Sequence, residues 1–117
     1  MNDLAPDVYR QRMFIEGLRE LPFTAEEISA YLVKLGEVLD MLPLATPFTH
    51  LSEKYGWSAW MHWETSGVHF YSWDKRDPVF FSVDIYTCKK FDPETAVTFT
   101  KEYFKAIQVT SKEVTLA

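Results

Sequence analysis

Apolar and polar residues alternate along several short stretches of the chain, and two longer stretches repeat with a helical period. Met13 and Ile15 alternate with Arg12 and Phe14, which predicts a first strand over residues 12–18. Thr24-Ala25-Glu26-Glu27 reads as a capping box, with the Thr24 hydroxyl accepting from the Glu27 N–H and the Glu27 carboxylate reaching back. Ile28, Leu32, Leu35, Val38 and Leu39 then form one apolar helical stripe, and Pro43 is expected to stop that helix by removing a donor. Phe48–Ser52 predicts a short strand, Gly56 a turn, and residues 57–63 a strand broken at Glu64-Thr65-Ser66-Gly67. Residues 68–73 form the next strand, and the polar cluster Asp74-Lys75-Arg76-Asp77-Pro78 predicts a hairpin after it. Phe81, Val83 and Ile85 alternate with Ser82, Asp84 and Tyr86, as in a half-buried strand. Asp92-Pro93-Glu94 starts a second helix: Asp92 caps, Pro93 fits the first position, and Glu94 complements the dipole. Its inner face is Ala96, Phe99, Thr100, Tyr103 and Phe104, and residues 107–116 predict a final strand.

The order β-α-β-β-β-β-α-β predicts an α+β fold, a two-layer α/β sandwich whose antiparallel sheet carries two helices on one face. The other sheet face would be rich in Trp, Tyr and His, and such a face is expected to bind a ligand or meet another subunit. Residues 1–9 read as a flexible arm, and residues 1–117 as a single domain.

Composition narrows the picture further. A chain of 117 residues can bury about two thirds of its unfolded surface, enough for one core without metal or disulfide staples. The net charge of -5, with no basic run, argues against nucleic acid as a partner. No apolar stretch approaches the ~20 residues of a membrane span, and the first residues lack the pattern of a signal peptide. A single cysteine cannot form an internal disulfide, which fits a reducing cytoplasm. His50 and His62 have no metal spacing with each other or with Cys88, so no metal site is expected.

One juxtaposition stands out. Ser66 lies on a tight turn just before one strand, and Cys88, the chain's only thiol, lies at the end of the next. Neighbouring strands can bring them together. On spacing alone, Ser66 is turn chemistry and Cys88 a small buried filler. The Trp57, Trp60, Trp63 and Trp73 cluster is either core or a wall for a flat, cationic ligand.

The segment from His50 to Cys88 resembles the small bacterial and archaeal S-adenosylmethionine decarboxylases. His50, Tyr55-Gly56, Ser58, Ser66, Trp73, Asp84, Tyr86-Thr87-Cys88 and Asp92-Pro93 fall in register with that family's pattern. The resemblance implies a pyruvoyl group made from Ser66 by self-cleavage at Thr65–Ser66. It would decarboxylate S-adenosylmethionine for polyamine (spermidine) synthesis through a Schiff base, in a cytoplasmic homodimer. It makes Cys88 the proton donor, with a thiol still protonated near neutrality (reference pKa about 8.5). His69 is a candidate processing base, and Glu64, Tyr71 and Trp73 are candidate substrate contacts.

The chain departs from the pattern at four positions. The cleavage-site glutamate is Thr65, with Glu64 one place earlier. The histidine after the serine is Gly67, the histidine five residues after it is Tyr71, and the first-strand histidine is Met13. His69 projects from the same strand face as Tyr71. These departures keep three alternatives open: a non-cleaving homologue that binds or otherwise degrades S-adenosylmethionine, an inactive regulatory partner subunit, and an enzyme with a changed substrate.

Overall fold

The computed structural model describes residues 2–116. Strand β1 (Gln11–Arg19) leads into helix α1 (Ala25–Val38). Strands β2 (Phe48–Ser52), β3 (Gly56–Trp63), β4 (Ser66–Trp73) and β5 (Val79–Thr87) follow, then helix α2 (Pro93–Phe104) and strand β6 (Gln108–Val114). The strands form one antiparallel sheet in the order β2-β3-β4-β5-β1-β6. Helix α1 lies against β2 and β3, helix α2 against β1 and β6, and the helices touch each other. Met13, Ile15, Met61, Val68, Phe70, Phe81, Val83 and Ile85 are buried in the resulting core. This is the α+β two-layer sandwich that the element order predicted.

Local chemistry explains the helix ends. The Glu27 N–H donates to Thr24 Oγ1 at 3.2 Å. The Glu27 carboxylate does not reach back as a capping box would have it. It takes the Arg19 guanidinium in a two-pronged pair at 2.6 and 2.7 Å. Arg19 also donates to the Leu21 and Pro22 carbonyls and lies 3.6 Å over the Phe23 ring, so the buried end of β1 is tied to the start of α1. At the other end, Pro43 is not the stop. Asp40 takes a left-handed conformation (φ 59°). Its N–H bonds to the Glu37 carbonyl and that of Met41 to the Gly36 carbonyl, which is a Schellman closure before the proline is reached. Pro43 instead forms an isolated bridge to Trp63.

The predicted apolar stripe of α1 needs one exchange. Val38 is exposed, while Tyr31 and Gly36 are buried. Gly36 is required by packing, because a Cβ there would lie 2.7 Å from the Trp63 indole nitrogen. The tryptophans divide between roles. Trp63 is buried, and Trp57 packs on the core and donates to the Phe23 carbonyl at 3.1 Å. Trp60 stacks on Phe48 at 4.4 Å on the opposite sheet face, and Trp73 packs on Phe80. Strand β4 starts at Ser66, two residues earlier than predicted, so the β3–β4 connection is only Glu64-Thr65. Strand β6 ends at Val114, short of the predicted 116. Residues 2–9 form no regular element; Asp3 pairs with Arg10 and accepts from the Ala5 N–H. No helix among the described residues is long and apolar enough to cross a membrane.

The two helices share one buried polar contact, Tyr31 Oη to Thr100 Oγ1 at 2.7 Å. Burial pushes the Tyr31 phenol pKa upward, so both groups stay neutral there. Tyr31→Phe leaves Thr100 without this partner and should cost about 1–3 kcal/mol. The double variant Tyr31→Phe/Thr100→Val should recover most of that loss. Urea unfolding of all three proteins checks this; a double variant no more stable than the single one would show the contact to be incidental.

Candidate active site

The β4–β5 pairing sets the site. Gly67 faces Tyr86 and Val68 faces Ile85, so Ser66 falls opposite Thr87 and within reach of Cys88, the residue after it, at the sheet end. The Cys88 N–H donates to Ser66 Oγ at 3.0 Å, and the Ser66 hydroxyl lies 3.7 Å from Cys88 Sγ. Thr65 Oγ1 is also in hydrogen-bond contact with Cys88 Sγ and donates to the Glu64 carbonyl at 2.8 Å. Three side chains that can gain or lose a proton therefore meet at the two-residue turn. Thr65 holds φ 50° there, a left-handed conformation rare for a β-branched residue. Such backbone stores about 1–3 kcal/mol of strain, next to the peptide bond that joins Thr65 to Ser66.

The surroundings hold this cluster from one side. The Glu64 N–H donates to the Leu42 carbonyl at 2.8 Å, which fixes the turn. Lys89 reaches the Asp40 carbonyl and carboxylate at 2.7 and 2.6 Å, which fixes the chain after Cys88. The buried Thr87 hydroxyl donates to the Lys89 carbonyl at 2.8 Å and shapes the bend between them. The Thr65 and Ser66 hydroxyls, in that order, pull the Cys88 thiol below its ordinary pKa. Desolvation and the Glu64 carboxylate oppose them.

Beside the cluster lies a concavity of about 740 Å³. Strand register explains it. Across the helix-free face one row runs Arg12, Tyr86, Gly67, His62, and the next runs Phe14, Asp84, His69, Trp60. Gly67 has no side chain, so a gap opens between Tyr86 and His62, walled by His69 and Asp84 of the neighbouring row. Arg12 lies 4.9 Å over the Tyr86 ring. The polar and aromatic character expected of this face is therefore observed.

The structure brings together some of the residues named from sequence and separates others. Ser66 and Cys88 touch, and Ser66 and His69 both line the concavity. His69 makes no hydrogen bond to Ser66 or Cys88 and points to the helix-free face, stacked on Tyr71 with centroids 6.4 Å apart. Glu64 contributes its carbonyl near Cys88 Sγ (3.8 Å), while its exposed side chain is not part of the concavity wall. Tyr71 and Trp73 line a separate, smaller hollow further along β4. Sequence reasoning passed over Thr65 as a partner of Cys88, and Arg12, His62 and Asp84 as wall residues. For the last three the signal was present: strand alternation places them on the face that carries His69.

No curated protein matches the chain significantly in sequence. Among solved structures it is similar to the adenosylmethionine decarboxylase from Aquifex aeolicus, with a TM-score of 0.73 at 12% identity, over 92% of this chain and 89% of that one. That likeness shows the fold. A family model described as S-adenosylmethionine decarboxylase matches residues 18–115, most of the chain. The chain belongs to the S-adenosylmethionine decarboxylase family.

Proposed function

We propose that this protein is a pyruvoyl-dependent decarboxylase of S-adenosylmethionine that makes its own cofactor at Ser66. The observation that carries the reading is the meeting of Ser66, Cys88 and the strained Thr65 at the β3–β4 turn. Ser66 Oγ adds to the Thr65 carbonyl carbon and the Thr65–Ser66 C–N bond breaks, leaving an ester. Loss of the Ser66 Cα proton then expels the Thr65 carboxylate. Addition of water and departure of ammonia leave a pyruvoyl group at the new N-terminus. The residues present fit such a group. Ser66 is the first residue of β4, its oxygen is already held by the Cys88 N–H, and Gly67 leaves the adjoining face open. A pyruvoyl group supplies a ketone that joins a substrate amine and draws electrons as carbon dioxide leaves.

The chain's own side chains divide the remaining work. Cys88, beside Ser66, is placed to hand a proton to the substrate at the end of turnover, once it has itself been protonated. His69, Asp84, Arg12 and Tyr86 wall the space in which a substrate would lie. Glu64, Tyr71 and Trp73 remain proposed substrate contacts, the last two from the neighbouring hollow. The half-exposed aromatic face, with Phe48, Trp60, Tyr71 and Tyr86, suits a second copy of the chain, so we read the active form as a cytoplasmic homodimer serving spermidine synthesis.

A second reading is favoured by His69, which makes no hydrogen bond to Ser66: the chain stays whole and binds S-adenosylmethionine, or regulates a catalytic partner. Intact mass of freshly purified protein separates the two. Two fragments meeting at Thr65–Ser66, replaced by one full-length species in Ser66→Ala, are expected. A wild-type chain still whole after days would sink self-processing, and calorimetric titration with S-adenosylmethionine would then decide whether it binds.

A further inference from the structure

We propose that Thr65 is a positioning residue for Cys88, and that Cys88 so held is the base that takes the Ser66 hydroxyl proton when the backbone opens. This rests on the self-cleavage reading above and adds to it the source of the base. No imidazole fills that role, since neither His69 nor His62 bonds to Ser66 or Cys88, although both line the adjoining concavity.

Donor and acceptor accounting supports it. The Ser66 oxygen already accepts from the Cys88 N–H at 3.0 Å, and the Ser66 proton has Cys88 Sγ, at 3.7 Å, as its side-chain acceptor. The proton that must leave is therefore aimed at sulfur. Thr65 has one hydroxyl proton and two acceptors in reach, the Glu64 carbonyl and Cys88 Sγ. With Cys88 as a thiol, S–H donates to Thr65 Oγ1 while the Thr65 proton goes to the Glu64 carbonyl. With Cys88 as a thiolate, the Thr65 proton turns to sulfur and joins the Ser66 proton there. Only a rotation about the Thr65 Cβ–Oγ1 bond separates the two arrangements, so no heavy atom has to move when the charge changes.

The charged neighbours do not supply this stabilisation. The Glu64 carboxylate opposes the thiolate from the turn. Lys89 follows Cys88 in the chain, but its ammonium is bound to Asp40. Arg12, His62, His69, Asp84 and Tyr86 lie along the concavity wall and bond to neither sulfur nor Ser66. What remains is the Thr65 hydroxyl first, then the Ser66 hydroxyl, with a lesser contribution from the Cys88 backbone N–H.

The step balances. Cys88 Sγ takes the proton from Ser66 Oγ as that oxygen bonds to the Thr65 carbonyl carbon. The Ser66 nitrogen then takes the proton back from Cys88 as the C–N bond breaks. The products are an ester, a free amine and a regenerated thiolate.

The test uses the single cysteine of the chain, so that alkylation reads Cys88 alone. In a Ser66→Ala background, which cannot cleave, iodoacetamide alkylation is followed against pH for Thr65, Thr65→Val and Thr65→Ser. Val keeps the branched shape and loses the hydroxyl; Ser keeps the hydroxyl. Thr65→Val should move the profile to higher pH and slow alkylation at pH 7 roughly tenfold, the size expected for one hydrogen bond to a charged group. Thr65→Ser should restore it. With Ser66 present, self-cleavage should slow in Thr65→Val, recover in Thr65→Ser, and show the same displacement in its pH profile. An alkylation profile unmoved by Thr65→Val overturns the positioning role. A shifted alkylation profile with an unchanged cleavage rate overturns the role of Cys88 as base. A wild-type chain that never cleaves removes the self-processing reading and the base role together, while alkylation still decides whether Thr65 positions Cys88.

Discussion

Val68 faces Ile85, Phe70 faces Val83 and Ser72 faces Phe81, and these cross-strand pairs fix where Ser66 meets Cys88. The apolar members are buried under the helices. A slip of one residue between β4 and β5 would turn His69 and Tyr71 into the core and push Phe70 and Val68 out. Each large apolar side chain so exposed forfeits about 1.5–3 kcal/mol, so two or three together rival the whole stability of a small domain. The position of two reactive side chains is thus set by hydrophobic burial several residues away. Ser66 lies next to Gly67, and Cys88 lies beyond Tyr86 and Thr87, past the last β4–β5 pair, where the Cys88 N–H donates to the Ser66 side-chain oxygen.

The chain after α1 completes the constraint. Its Schellman closure at Asp40 turns residues 40–44 back across the end of the sheet. From there Leu42 accepts from Glu64, Leu44 donates to His62, and Asp40 receives Lys89. The strand before the turn, β3, and the chain just after β5, at Lys89, are held by the same five residues. The surface ion pair contributes little by itself, but the backbone bonds beside it are fixed by the helix end and cannot shift independently.

Much of this fold was legible in the sequence because each element carried its own local signal. Thr24 and Asp92 cap the two helices as read, and the alternation of Phe81, Val83 and Ile85 gave the face of β5. The misreadings share a cause, which is competition for a partner not visible locally. Glu27 is a good capping-box residue, but a buried guanidinium outbids the backbone for its carboxylate. Pro43 is a good helix stop, but a left-handed Asp40 acts first. Four tryptophans close in sequence separate because β3 and β4 alternate faces, so Trp63 enters the core while Trp60 does not. In the site, Ser66 and Cys88 were legible from strand order, whereas the contact of Thr65 with Cys88 depends on a two-residue turn that a four-residue break had obscured.

The four departures from the family's sequence pattern do not disturb the sheet. Met13 is a core residue of β1, Tyr71 stacks on His69, Gly67 opens the concavity, and Thr65 occupies the turn. Two of the four, Thr65 and Gly67, therefore border the Ser66–Cys88 contact or the concavity beside it. A carboxylate at position 65, next to sulfur, would repel a thiolate and hold Cys88 as an acid, as the more distant Glu64 does weakly here. A hydroxyl in the same place does the reverse, because it can donate to the thiolate and costs no charge of its own. Gly67, by carrying no imidazole beside Ser66, removes the competing base on that side. On the proposed reading, the two positions together would move the ionisable burden of the site from histidine and glutamate onto one cysteine held between two hydroxyls, within a fold whose hydrophobic pairing is intact.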